Sequence, residues 1–490
     1  MDAIETIVNT LNDSITSYLL VPLLAAVGLY FSLRTGFFQF RSARAMLRVI
    51  LGSRGGAGAG ISSFQAFTIS LASRVGTGNI AGVAIALAVG GPGAIFWMWV
   101  MALIGMATAF IEATLAQIYK QPHSDGTFRG GPAYYIERGL GSRAWGMVFA
   151  CLLIFTFGLA FNMVQANTIA SVLENGHGVS PTITAVVLAV LTGVIIFGGL
   201  KSIAKVTEIM APVMALIYFL LAVAVIIVRL PEVPGAFADI IKGAFGLEPA
   251  LAGVGGGMLA ALINGVKRGM FSNEAGMGSA PNAAATATTR HPAHQGLIQS
   301  AGVWVDTIVV CTATAVMILL AGPEVYKPGV TTKDDAGAAL TQTALASELG
   351  SWVIVVMTAL IFVFAFSSVL GNTTYAEINV DFLRAGRLGD VIMRLVVIGA
   401  VVVGSLTSLS FVWSLADVAM TGMALVNLVA LLMLGKYAVQ ALRDLQSQRD
   451  IVEADYDIDR LADVPPGVLP DVWGPGAAVR AVDGTAEPRS

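Results

Sequence analysis

Charge is scarce in this chain. Lys, Arg, Asp and Glu together supply 12% of its 490 residues, roughly half the share found in a soluble domain. A globular surface of this size cannot be solvated by so few charges. With 56% hydrophobic residues and a mean hydropathy of +0.78, lipid must cover much of it. Neither sign dominates: 28 basic and 31 acidic residues leave a net charge of −3, which excludes the electropositive footprint of a nucleic-acid binder. Cysteine is nearly missing. Cys151 and Cys311 lie in apolar runs without metal-ligand spacing, so they read as buried thiols packing like small hydrophobes. The four histidines are scattered. No Gly-Lys-Ser/Thr of a phosphate loop occurs, and Gly76-x-Gly78 with Gly82 lacks both the spacing and the preceding strand of a dinucleotide fingerprint. No His/Asp/Ser or metal constellation gathers on one side, so no enzyme is expected. Asp2, Glu5 and Asp13 stand where a cleavable signal peptide would carry basic residues.

What the chain does have is apolar runs. A membrane span needs about 20 apolar residues, and eleven stretches qualify: 15–33, 62–89, 93–118, 144–173, 182–199, 206–228, 251–289, 297–321, 351–375, 390–409 and 411–435. The expected fold is all-α and polytopic, with eleven transmembrane helices in contact with the lipid bilayer. Basic residues set the orientation. Arg34, Arg41, Arg44, Arg48 and Arg54, then Lys120, Arg129, Arg138 and Arg143, then Lys201 and Lys205, then Arg384 and Arg387 all fall on one side. The opposite loops 90–93, 174–181 and 405–410 have no Lys or Arg, and the longer loops 229–250 and 322–350 hold only Arg229, Lys242, Lys327 and Lys333. The N-terminus is therefore expected outside and the C-terminus in the cytoplasm, in a multi-pass protein of the cell membrane. Segment 40–51 is basic and amphipathic, suited to the anionic cytoplasmic leaflet. Residues 121–143 read as a cytoplasmic connector with a short helix. The tail at 437–490, with Pro465, Pro466, Pro470, Pro475 and Pro488, reads as a short helix followed by a largely disordered end.

Two of the stretches are interrupted. Gly76, Gly78 and Asn79 cluster in the middle of the second, where each glycine costs a helix about 1 kcal/mol relative to alanine. Two readings are open. The helix unwinds there and frees backbone groups for an ion or an anion, or small residues let a neighbour pack closely. The seventh stretch is similar: Phe271, Ser272, Asn273 and Glu274 lie between Gly269 and Gly276. With the first stretch set aside, the interrupted helices become the first and sixth of ten, the leading members of two oppositely oriented five-helix halves. Such pairing points to a transport site. The implied division is 1–61 for the first helix and the amphipathic segment, 62–229 and 230–436 for the halves, and 437–490 for the tail.

Several motifs together carry a family resemblance. Gly90-Gly91-Pro92-Gly93-Ala94-Ile95-Phe96-Trp97-Met98-Trp99 with Val100 and Gly105, the segments 75–82 and 269–281, and Phe161-Asn162-Met163-Val164-Gln165 resemble the alanine or glycine:cation symporters over roughly residues 15–440. The resemblance implies a LeuT-type 5+5 inverted repeat preceded by one extra N-terminal helix, and sodium-driven uptake of alanine or glycine. It implies that Thr77, Gly78 and Asn79 face the substrate carboxylate. Carbonyls around Phe271, with Ser272 and Asn273, would meet the ammonium. Gln165 would form a polar wall, Gly276 would leave space and the Phe271 ring would limit side-chain size. Sodium would take carbonyls of Ala72, Val75 and Phe364 and hydroxyls of Ser367 and Ser368. Taken alone, those two serines would be expected to bond back to their own helix.

Arg74 departs from the family pattern. It is read either as a tethered cation in place of a second sodium, or as a snorkelling arginine or the partner of Glu112, Glu274 or Asp306. Asn372 stands where some relatives have an aromatic residue and could line the pocket. Lys267 and Arg268 are candidates for gating or for snorkelling. Glu112, Asp306 and Asp417 are intramembrane acids without an assignable partner. A channel and a proton-coupled symporter are the rival readings, and no obligate protein partner is evident.

Overall fold

The computed structural model describes residues 12–53, 60–124, 126–197, 200–247, 257–332, 336–477 and 481–482. Residues 1–11, Arg54, 198–199, 248–256, Lys333 and the end of the tail with Pro488, all used above, lie outside the described residues. Apart from a two-rung hairpin of β1 (Gln121–Pro122) and β2 (Phe128–Arg129) and an isolated parallel bridge between Ile61 and Ala287, the described secondary structure is helical.

In chain order the principal helices are α1 (Ser14–Arg34), α2 (Ala43–Gly52), α3 (Ser63–Arg74), α4 (Gly78–Gly90), α5 (Gly93–Ile118), α6 (Pro132–Leu140), α7 (Arg143–His177), α8 (Pro181–Ile196), α9 (Leu200–Val228), α10 (Val233–Ala244), α11 (Gly257–Asn273), α12 (Ala280–Thr286), α13 (Pro292–Leu320), α14 (Ala338–Leu349), α15 (Trp352–Leu383), α16 (Gly386–Leu406) and α17 (Leu409–Ser447). Among the described residues seven of these are long and apolar enough to cross a membrane, and up to nine spans result if each of two bent pairs counts as one. The protein is a polytopic membrane protein. The loops expected at 229–250 and 322–350 contain helices of their own, α10 and α14; α9 and α10 meet at a bend of 105°. Val186, Val190 and Val194 on α8 and Leu395 and Val403 on α16 point outward, an apolar face suited to lipid.

The first interruption unwinds, as one of the two readings required. A capping box starts α3: Ser62 Oγ accepts from Gln65 N–H, and Gln65 Oε1 accepts from Ser62 N–H, which satisfies two donors at the helix start. The helix stops where Val75 leaves helical geometry at ψ 88°. The chain resumes as α4 after a 46° bend. The second interruption separates α11 from α12. There Glu274, Gly276 and Gly278 take φ values of 58°, 83° and 84°. Two glycines enter this left-handed region without penalty, whereas Glu274 carries a Cβ into it. Around the breaks, α5 packs most extensively against α13 and α11, and α7 against α16 and α15.

The tail differs from the expectation of a largely disordered end. Helix α17 runs to Ser447, and residues 448–477 fold back onto the adjoining face. Trp473 is 0% exposed, its Nε1 donating to Gln117 O at 3.0 Å. Lys120 lies under it, with Nζ 4.8 Å from the Trp473 ring centroid, 4.1 Å from that of Phe128 and 2.8 Å from Ala287 O. Burial holds the Lys120 ammonium well below the usual lysine range. Tyr456 N–H donates to Arg290 O at 3.0 Å, and its ring meets Trp473 edge-on at 5.5 Å. Two aromatic side chains supply the apolar area that a Pro-rich, charged composition conceals. Trp473→Ala is expected to cost about 3–5 kcal/mol, as buried Trp truncations do. Thermal unfolding in detergent and limited proteolysis after Ser447 will read this. An unchanged midpoint with an uncut tail would contradict the packing described.

Candidate functional site

The two breaks touch. A Cβ built on Gly78 would lie 3.0 Å from both Phe271 Cδ1 and Ser272 Cα, and one on Gly76 would lie 2.2 Å from Ser368 Oγ. A side chain at either position would force Ser368 or Phe271 to shift, so glycine lets the unwound segment approach α11 and α15 this closely.

Polar groups converge at the contact. Thr77 Oγ1 donates to Gln165 Oε1 at 2.5 Å, and Thr77 N–H points at the same oxygen at 3.4 Å. Gly76 N–H donates to Asn79 Oδ1 at 2.9 Å, which fixes the side chain so that its Nδ2 faces Ser272 Oγ at 2.9 Å and Asp306 Oδ1 at 2.6 Å. Asn273 Nδ2 donates to Thr307 Oγ1 at 3.0 Å. The Phe271 ring is held between Phe161 and Trp413, at centroid distances of 4.4 and 4.5 Å. Gly276 is placed apart from this group. Its N–H donates to Glu112 Oε1, and a Cβ on it would meet Leu24, Thr108 and Leu428, so it shapes the turn rather than the contact between the breaks.

Beside the first break, Ser367 and Ser368 sit against α3. Ser368 Oγ lies 3.0 Å from Ala72 O and 3.1 Å from Phe364 O; Ser367 Oγ lies 2.9 Å from Phe364 O and 3.5 Å from Ala72 O. Both serines therefore bond back to their own helix, and both also reach across to α3. Two hydroxyls and two carbonyls gather at the end of α3, next to Val75, whose N–H closes the last turn on Leu71 O. Hard oxygen donors of this kind suit an alkali cation.

The intramembrane charges acquire partners that spacing alone could not supply. Arg268 is 3% exposed and pairs with both carboxylate oxygens of Asp417, while its guanidinium lies 4.6 Å over the Trp413 ring. Lys267 Nζ donates to Asn12 Oδ1 at 3.1 Å. Neither basic residue snorkels. Glu112 accepts from Gly276 N–H and Gly278 N–H, both at 3.2 Å, and from Asn427 Nδ2 at 2.9 Å. Glu274 accepts from Ser279 Oγ at 2.6 Å, and Ser73 Oγ lies 3.1 Å away with its single hydrogen shared between Glu274 and Asn372 Oδ1. Arg74 is buried rather than snorkelling: Nη1 donates to Gln299 O at 3.2 Å, and Nε and Nη2 have no hydrogen-bond partner. Asn372 bridges helices, accepting from Ser73 Oγ at 2.8 Å and donating to Asn162 Oδ1 at 3.0 Å.

Comparison with known proteins identifies the family. A family model described as the sodium:alanine symporter family matches residues 1–457. The chain belongs to that family. It is a sodium-coupled symporter and not an enzyme. It is 48% identical over 445 residues to the amino-acid carrier protein AlsT of Bacillus subtilis, covering 91% of this chain and 93% of that protein. It is 47% identical over 447 residues to the probable sodium/glutamine symporter GlnT of the same organism, covering 91% of each. To the sodium/alanine symporter AgcS of Methanococcus maripaludis it is 40% identical over 441 residues, covering 89% of this chain and 95% of that one. The fold is that of a solved manganese transporter from Eremococcus coleocola (mutant H236A), with a TM-score of 0.52 at 16% identity over 80% of this chain and 86% of that one.

Proposed function

We propose that this symporter takes up small neutral amino acids, alanine or glycine, on the sodium gradient, by alternating access around the breaks α3/α4 and α11/α12. In this reading eleven helices cross the cell membrane as one extra helix plus two inverted halves at 62–229 and 230–436, with the N-terminus outside. Thr77, Gly78 and Asn79 hold the carboxylate, while carbonyls near Phe271, with Ser272 and Asn273, hold the ammonium. Gln165 closes one wall. Ala72, Val75, Phe364, Ser367 and Ser368 hold sodium. The observation that carries the reading is the clustering of Ser367, Ser368, Ala72 O and Phe364 O within 3.5 Å at the first break. An ion there ties α15 to the segment that faces the substrate. The clamped Phe271 ring supports a small side chain, because a site with fixed walls rejects bulk by steric cost.

The deciding experiment is uptake of labelled alanine and glycine into proteoliposomes, with unlabelled glutamine as competitor and sodium and pH gradients imposed separately. Alanine or glycine uptake that follows the sodium gradient is expected. Uptake indifferent to sodium and driven by the pH gradient would replace this reading by proton coupling. Within it, Ser367→Ala removes one oxygen donor. The sodium half-saturation is expected to rise about tenfold, the equivalent of about 1.4 kcal/mol. An unchanged value would remove Ser367 from the ion site.

A further inference from the structure

On the side proposed above as cytoplasmic, access to the breaks runs between two short helices, α3 and α12. Their ends are joined there. Ile61 and Ala287 form a parallel bridge, and Thr288 N–H donates to Ile61 O at 2.9 Å. Helix α2 is tied to the same end of α3, because Phe64 N–H donates to Ser53 O at 3.1 Å. In the alternating-access reading, opening this side parts α2 and α3 from α12 and the turn that follows it.

The segment 448–477 crosses that seam, and its first residues alternate between the two banks. Asp450 pairs with Arg48 of α2 at 3.3 Å, and a Cβ built on Gly52 of α2 would lie 3.0 Å from Val452 Cγ1. On the opposite bank, Ile451 O accepts from His294 Nε2 at 2.7 Å and Glu453 pairs with Arg290. Further along, Gly467 O accepts from Arg138 Nε at 2.7 Å. Trp473 then covers the end of α5, where Gln117 Nε2 and Lys120 Nζ hold Ala287 O at 3.1 and 2.8 Å.

The two banks hold the segment unequally. Against α5 and the turn after α12 it is anchored by Tyr456 and Trp473, which are 2% and 0% exposed. Against α2 it is held by an ion pair whose side chains are 59% and 49% exposed, and such pairs contribute little. A cavity of about 230 Å³ adjoins that contact, lined by Gly52, Ser63, Thr288 and Val452 among others. The α2 contact is therefore the one that lets go. Between Ser447 and Gly474 regular structure is confined to Ile458–Arg460 and Pro470–Trp473, so the segment can lift without unfolding a membrane helix.

We propose that residues 448–477 form an autoinhibitory strap, which holds the cytoplasmic ends of the two broken helices together until its α2 contact is released. The proposal rests on the alternating-access reading above. A segment bonded across the seam in only one of two states shifts the balance toward that state, here the one closed on the cytoplasmic side, and so slows uptake. Its Trp473 anchor lies past residue 457, outside the part of the chain that the family model matches.

The test is a reversible lock in the full chain. Cys151→Ser removes the exposed thiol. Gly52→Cys with Val452→Cys then places two thiols across the α2 contact, at a separation suited to a disulfide. Labelled alanine uptake into proteoliposomes is measured after copper phenanthroline and again after dithiothreitol, with Cys151→Ser alone as control and the disulfide verified by mass spectrometry. Oxidation is expected to lower uptake about tenfold or more, and reduction to restore it, while the control is unchanged. Trp473→Ala frees the anchored end. It is expected to raise the initial rate severalfold in the unlocked chain and to relieve the block in the locked one. Asp450→Arg sets a like charge against Arg48 at the surface and serves if Trp473→Ala does not reach the membrane; it too is expected to raise the rate. Full uptake by the locked protein overturns the strap, and so do rates that stay the same or fall in Trp473→Ala and Asp450→Arg. Sodium-independent uptake by the control overturns the proposed function instead, while the lock still reports on the strap.

Discussion

Glu112→Ala is expected to abolish uptake and to lower stability by about 3 kcal/mol or more, because it leaves three buried donors without an acceptor at roughly 1–3 kcal/mol each. The carboxylate stands on α5 and is 0% exposed. It takes Gly276 N–H on one oxygen and Gly278 N–H and Asn427 Nδ2 on the other. Asn427 in turn donates to Gly276 O at 2.9 Å, and Tyr135 OH bonds to its Oδ1. This network holds the second break in its left-handed backbone. Non-helical backbone at membrane depth survives only where protein groups satisfy it. Glu112→Gln keeps the length and one acceptor oxygen but turns an amide toward a backbone N–H, so an intermediate loss is expected. Alanine uptake in proteoliposomes and thermal unfolding in detergent will separate the two variants. A Glu112→Ala protein with ordinary uptake and an unchanged midpoint would show that the break does not depend on this carboxylate.

The position of that break was legible in the sequence, but its support was not. Gly76, Gly78 and Gly276 mark where helix is costly, and local spacing finds them, although it leaves unwinding and close packing both open. Ser367 and Ser368 were legible only through resemblance, since two serines in an apolar helix ordinarily bond backwards, and here they do so as well as reaching Ala72 O. What spacing cannot reveal is which acid meets which break. Glu112 lies 164 residues from Gly276, and Asp306 lies 227 residues from Asn79. These pairs exist only once α5 and α13 pack against the breaks. Asn372 shows the converse limit. Its alignment with an aromatic position suggested a pocket wall, yet both ends of its amide are spent on Ser73 and Asn162. In the tail, prolines and mixed charge outweighed Tyr456 and Trp473 in the composition, although those two rings decide where the segment packs.

The seam between α11 and α17 yields the other large effect. Arg268 and Phe271 are three residues apart on α11, and Trp413 and Asp417 four apart on α17, so both pairs share a helix face. The ion pair and the Phe271–Trp413 contact therefore form one continuous closure. Asp417→Leu would strand a buried guanidinium whose Nε and Nη1 already have no hydrogen-bond partner. A loss of about 3–5 kcal/mol is expected, as when one partner of a buried pair is removed. The double variant Arg268→Met with Asp417→Leu behaves oppositely. Apolar replacements of a buried pair are often neutral or stabilising by about 1–4 kcal/mol, because the desolvation penalty disappears. That same penalty favours opening, since both charges regain water when the helices part. Without it the closed seam is over-stabilised. The double variant is thus expected to melt at or above the wild-type temperature while alanine uptake falls severalfold, whereas Asp417→Leu alone melts lower. A double variant with full uptake would mean that α11 and α17 stay together through the transport cycle, and that substrate passes on another side of the breaks.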